Sequence, residues 1–150
     1  MANYVLVHGG DRDGSIWNET ATLLRSQGHH VICPSMKSVK IAALQENIQQ
    51  VADEIEKNNM QQVILIGHSY GAFVITGVAD QHPDKINMLV YVDSLVPKNG
   101  KSLFGMMKEL CSRIHRSLPL FFLGCRFCHN FKFKAQCLPN WHSTDYHRPL

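Results

Sequence analysis

An α/β layered fold with a mostly parallel sheet is what this 150-residue sequence predicts, and three observations carry the prediction. Four short apolar runs recur along the first two thirds of the chain, helical segments separate them, and each run stops at a glycine, proline or aspartate. Strands that are apolar throughout need cover on both faces, and a parallel sheet between helical layers supplies it.

The elements follow in order. "YVLV" (4–7) has strand length and ends at a glycine pair. Ser15 to Gln27 is predicted helical, with Trp17, Ala21 and Leu24 on one face and Gly28 at the C′ position. "HVIC" (30–33) is a second strand, stopped by Pro34. Ile41, Leu44, Ile48, Val51, Ala52 and Ile55 repeat at helical spacing, with Gln, Glu, Asp and Lys opposite them. "QVILIG" (62–67) is a third strand, Tyr70 to Asp80 a mostly apolar helix, and "INMLVYVD" (86–93) a fourth strand after the turn "HPDK".

Composition narrows the functional classes. An apolar fraction of 45% with 18% charged residues describes a soluble globular chain of one domain. No apolar run has bilayer-spanning length, and no basic n-region precedes the first strand. The expectation is therefore a cytoplasmic protein whose five cysteines are free thiols, with no membrane partner. A net charge of +3 without a basic run is no nucleic-acid footprint.

The averages conceal a seam. Residues 1–104 hold eight Lys/Arg against ten Asp/Glu, a net of −2, whereas residues 105–150 hold seven against two, a net of +5. Cys111, Cys125, Cys128 and Cys137, and seven of the thirteen aromatics, also fall after the seam. The chain thus divides into an α/β segment, 1–104, and an atypical basic tail rich in cysteine and aromatics, 105–150.

Chemistry concentrates at "ILIGHSYGAFVI" (64–75), where Gly67-His68-Ser69-Tyr70-Gly71 interrupts apolar sequence. A bare Gly-x-Ser-x-Gly arises by chance about one time in twenty in a chain this long. Its place between a buried strand and a helix is what a nucleophile elbow requires. There a strained backbone lifts the serine hydroxyl above the sheet edge, and the flanking glycines avoid collision with the neighbouring strand and helix. The helix that follows aims its amides at developing negative charge. The plainer alternative is a glycine-rich turn with Ser69 as an N-cap. A second signal is His8-Gly9-Gly10 after the first strand, a loop able to present a backbone N–H. On that geometry the N–H groups of Gly10 and Tyr70 form an oxyanion hole, and His8 shapes the loop. Read alone, the triplet is a tight turn.

Four stretches carry a resemblance: "VHGG…GSIW" (7–17), "GHHVICPSM" (28–36), "ILIGHSYGA" (64–72) and "LVYVDSLVPKNGKSL" (89–103). Residues 4–104 resemble the N-terminal half of an α/β-hydrolase, of the branch with plant methylesterases and hydroxynitrile lyases. The resemblance implies a three-layer sandwich, Ser69 as nucleophile, Gly10 and Tyr70 as oxyanion donors, and a histidine base and carboxylate acid later in the chain. It implies a carboxylesterase acting on a small ester without metal or cofactor. The alternatives are a lyase that splits a cyanohydrin, and an inactive remnant that keeps the elbow but lacks a base.

The tail departs from that family. Only 57 residues follow Asp93, and they lack the strand–helix rhythm of two further strands. The expectation is a truncated chain, or a frameshifted reading from about residue 105, with the sheet incomplete on its C-terminal side. The open edge of the fourth strand then becomes a route to self-association. His147 in "DYHRPL" is a weak candidate for the base, and Asp93 for the acid, against its plainer reading as a turn cap. His68 is expected to pack against a strand. Cys125, Cys128, Cys137 and His142 include a Cys-x-x-Cys pair, but their spacing matches no zinc module, and "CRFCH" without an export signal is no haem site.

Overall fold

The computed structural model describes residues 1–38, 42–98, 100, 101, 105 and 106, together with the backbone of 135–139. The elements are β1 (Asn3–Val7), a 3₁₀ turn (Gly14–Trp17), α1 (Asn18–Ser26), β2 (His30–Ile32), α2 (Leu44–Lys57), β3 (Val63–His68), α3 (Gly71–Gln81), a 3₁₀ turn (Pro83–Lys85), β4 (Ile86–Val92) and β5 (Ala135–Pro139). The predicted helix from Ser15 opens as the 3₁₀ turn, capped by Asp13, whose Oδ1 accepts from the Ser15 N–H at 2.8 Å. Gly28 closes α1 in the left-handed region, at φ +82°.

The sheet order is β2-β1-β3-β4-β5. β1 pairs in parallel with β2 and β3, and β3 with β4. The chain runs outward from β1 to β2 and then crosses back to β3. The two crossovers leave their helices on opposite faces, as right-handed connections require. Leu6 and Val31 pack with Ala21 of α1 on one face. On the other, Val5, Val7, Leu65 and Leu89 pack with Ile48, Val51 and Ile55 of α2 and with Val74, Ile75 and Val78 of α3. Both faces are therefore covered, and a sheet with a switch point between β1 and β3 opens a crevice at its C-terminal ends.

One expectation is corrected here. The edge of β4 is not open, because β5 pairs with it antiparallel, Met88 opposite Pro139 and Val92 opposite Ala135. "AQCLP" escaped the sequence reading because five mixed residues ending in proline carry no period. The partner strand, more than forty residues away, supplies the order.

Thr76 and Tyr91 form a paired polar set inside the sandwich. Tyr91 is buried under α3, its hydroxyl 2.9 Å from Thr76 Oγ1, while that hydroxyl donates to the Ala72 carbonyl at 2.7 Å. With the threonine proton committed to Ala72, the tyrosine is the donor between the two. Thr76→Val keeps the shape and removes the acceptor. It is expected to cost about 1–2 kcal/mol of unfolding free energy, measured by urea denaturation.

Candidate active site

The parallel register brings three loops to one end of the sheet. Val7 aligns with Gly67, Gly67 with Tyr91 and His68 with Val92, so residues 8–10, 69–70 and 93–94 leave the sheet side by side. Ser69 stands between β3 and α3 at φ +51°, a left-handed conformation that costs a residue with a β-carbon about 1–2 kcal/mol. The surrounding backbone holds it there. The Ser69 N–H donates to the Val92 carbonyl at 3.3 Å, and its carbonyl accepts from Ser94 Oγ at 2.9 Å and from the Ala72 N–H at 3.1 Å. The residue itself is exposed at the crevice.

Both flanking glycines are forced by proximity. A β-carbon on Gly67 would lie 2.7 Å from the Gly71 carbonyl oxygen, and one on Gly71 would lie 2.7 Å from that of Val7. The turn can be this tight only because helix and strand touch through bare backbone.

The His8-Gly9-Gly10 loop lies against the elbow: a β-carbon on Gly9 would come 3.3 Å from Ser69 Cβ and 3.1 Å from His68 Nδ1. His8 is 1% exposed, and its Nε2 accepts the Met36 N–H at 2.8 Å. An accepting Nε2 assigns the proton to Nδ1, which sits 2.7 Å from the Gly9 carbonyl and donates to it. His8 is thus a strut of the loop, with both nitrogens occupied. The amides of Gly10 and Tyr70 donate to no group among the described residues.

His68 lies between this loop and β4. Its Nε2 is 4.0 Å from Asp93 Oδ2, and its Nδ1 is buried with no partner among the described residues. Burial pushes the imidazole pKa below its ordinary 6.5, and the Asp93 carboxylate offsets only part of that. The native state therefore favours neutral His68, while the unfolded chain accepts a proton near pH 6.5. Stability from this group is complete above that pH and is lost as pH falls through the lower, folded value. Between pH 7 and 5.5 the wild-type Tm is expected to fall more steeply than that of His68→Gln, and parallel curves would refute the assignment. Asp93 itself adopts φ +45°, a conformation that suits a turn-forming aspartate.

The profile of the α/β-hydrolase family matches residues 4–147. The chain belongs to the α/β-hydrolase family. It is 44% identical over 117 residues to a carbendazim-hydrolysing esterase of a Nocardioides species, covering 73% of this chain and 48% of that one. It is 29% identical over 122 residues to methylesterase 18 of Arabidopsis thaliana, covering 73% and 46%. Among solved structures, an extracellular α/β-hydrolase from a Paenibacillus species has a TM-score of 0.64 at 33% identity, covering 68% of this chain and 44% of that one. The chain spans about half the length of the curated relatives it matches.

Of the residues singled out in the sequence of this α/β-hydrolase, Ser69, Tyr70 and the Gly9–Gly10 loop meet at one end of the sheet, with His68 and Asp93 beside them. His147, Cys125, Cys128 and His142 lie outside the described residues, and of Cys137 only the backbone, in β5, is described. Among the described residues no group of three metal-binding side chains forms, and no helix is long and apolar enough to cross a membrane. Sequence reasoning missed Ser94, which clamps the Ser69 carbonyl, and Asn47, whose Nδ2 reaches Tyr70 Oη at 3.4 Å. The one available signal was the hydroxyl residue directly after the fourth strand. Asn47 had none beyond a polar residue beside Ile48 on the apolar face of α2.

Proposed function

We propose that this chain carries the nucleophile and oxyanion hole of a serine carboxylesterase acting on small esters. The observation that carries the reading is the elbow: an exposed serine at φ +51°, clamped through its own backbone, with the glycine loop against its β-carbon. Ser69 Oγ attacks the ester carbonyl while a histidine base takes its proton, and the carbonyl oxygen becomes an oxyanion held by the N–H groups of Gly10 and Tyr70. Collapse expels the alcohol, which takes the proton back from the histidine. Water, deprotonated by the same base, then releases the acid and restores the serine. His147 and Asp93 are the candidates in the sequence for that base and for the carboxylate that orients it. The esterase names of the relatives support an ester substrate, and carbendazim, on which the Nocardioides relative acts, is the first compound to try.

Intact mass spectrometry after fluorophosphonate treatment tests the reading. A single phosphonyl adduct on the wild type is expected, accompanied by ester hydrolysis. Cyanohydrin cleavage with little esterase activity would move the same site to lyase chemistry. No adduct on the folded protein would leave an elbow without a working base.

A further inference from the structure

The two proposed oxyanion donors come from loops far apart in sequence, and donors of this kind work only when their spacing is set before the charge appears. Pairing of β1 with β3 aligns the loop bases, and the loops touch through the Gly9 and Gly71 backbones. A second connection joins them from the side. Ser35, Met36 and Lys37, which follow β2, are hydrogen-bonded from three directions. The Gly14 N–H donates to Ser35 Oγ at 3.1 Å, and Gln50 Nε2 of α2 donates to the Ser35 carbonyl at 2.8 Å. The Met36 N–H donates to His8 Nε2 at 2.8 Å, and His8 in turn holds the Gly9 carbonyl at 2.7 Å. Asn47 Nδ2 donates to the Lys37 carbonyl at 3.3 Å and to Tyr70 Oη at 3.4 Å.

Asn47 is 0% exposed, and its Oδ1 is buried without a partner among the described residues. A leucine at this position of α2 would bury equally well and leave no unpaired oxygen. What the asparagine alone supplies is the link. The Lys37 carbonyl can only accept, so it orients the amide with Nδ2 toward both partners.

We propose that Asn47 is a positioning residue of the oxyanion hole: through the Ser35–Lys37 segment it ties the elbow residue Tyr70 to the loop that bears Gly10. The catalytic consequence rests on the esterase reading; the tie itself is a property of the fold.

Asn47→Leu, Tyr70→Phe and the double variant test it. Tyr70→Phe removes the acceptor of the link while leaving the backbone N–H in place. Each single variant is expected to lower kcat for ester hydrolysis, and the rate of fluorophosphonate labelling, about tenfold with KM held within about twofold. The double variant is expected to fall no further, because both changes cut one connection. An unchanged kcat in folded single variants, or losses that multiply, overturns the proposal. A merely structural Asn47 would lower Tm and leave kcat alone. An unreactive wild type would sink the esterase reading and not the tie, which is read separately by amide NMR in the Ser69→Ala background. There Asn47→Leu is expected to shift the Gly10 amide as well as that of Tyr70, and a shift confined to the neighbours of Asn47 overturns the tie. Should Asn47→Leu fail to fold, Tyr70→Phe carries the same readout.

Discussion

Ser69→Ala is expected to remove the phosphonyl adduct completely and to lower ester turnover by about 10⁴- to 10⁶-fold, with the protein still folded. The size follows from the division of labour at the site. On the proposed mechanism no acyl-enzyme forms without the hydroxyl, and what remains is the proposed oxyanion hole acting on a water-driven reaction. Stability should not suffer, because the Ser69 backbone makes the clamping bonds to Val92, Ser94 and Ala72 and the exposed hydroxyl makes none among the described residues. Alanine pays the same steric cost as serine at φ +51°. An adduct that survives Ser69→Ala would move the nucleophile elsewhere, and a small loss of turnover would reduce the elbow to a structural turn.

Gly71→Ala should be strongly destabilising. Its β-carbon would lie 2.7 Å from the Val7 carbonyl oxygen and 2.8 Å from that of His8, and neither neighbour is a side chain that can rotate away. Either α3 lifts from the sheet or the end of β1 moves. Overpacking commonly costs about 1–3 kcal/mol, and a clash against backbone on one side belongs at the upper end of that range. That is a large fraction of the roughly 5–15 kcal/mol that holds a typical domain together. The same movement displaces the His8–Gly10 loop, so labelling of Ser69 should slow in whatever fraction stays folded. Urea denaturation together with the labelling rate gives both quantities, and an unchanged midpoint would mean that α3 does not dock on β1 this closely.

The legible parts of this protein share a property. "YVLV", "QVILIG" and "INMLVYVD" are strands whose apolar character is local, and β1, β3 and β4 fall within a residue of those runs. The helix spacing of Ile48, Val51 and Ile55 named the face of α2 that packs on the sheet. Gly67-x-Ser69-x-Gly71 could be read as an elbow because the strand, the turn and the helix are contiguous, and the two glycines report a close approach through their own lack of a side chain. Where the reading fell short, the interactions were not local. β5 was invisible because "AQCLP" becomes a strand by pairing with β4.

What the sequence determined by itself is therefore the layered α/β architecture, the order of its elements as far as β4, and a Gly-x-Ser-x-Gly turn between a strand and a helix. Only the tertiary structure decided which strands lie side by side, and with that which residues share the site. His8 meets Met36, Asn47 meets Tyr70, Ser94 meets Ser69, and His68 meets Asp93. Propensity and periodicity reach over one turn or one strand, but these contacts span more than twenty residues each. They exist because the crossover from β2 to β3 returns the chain past β1 and sets the ends of three strands together.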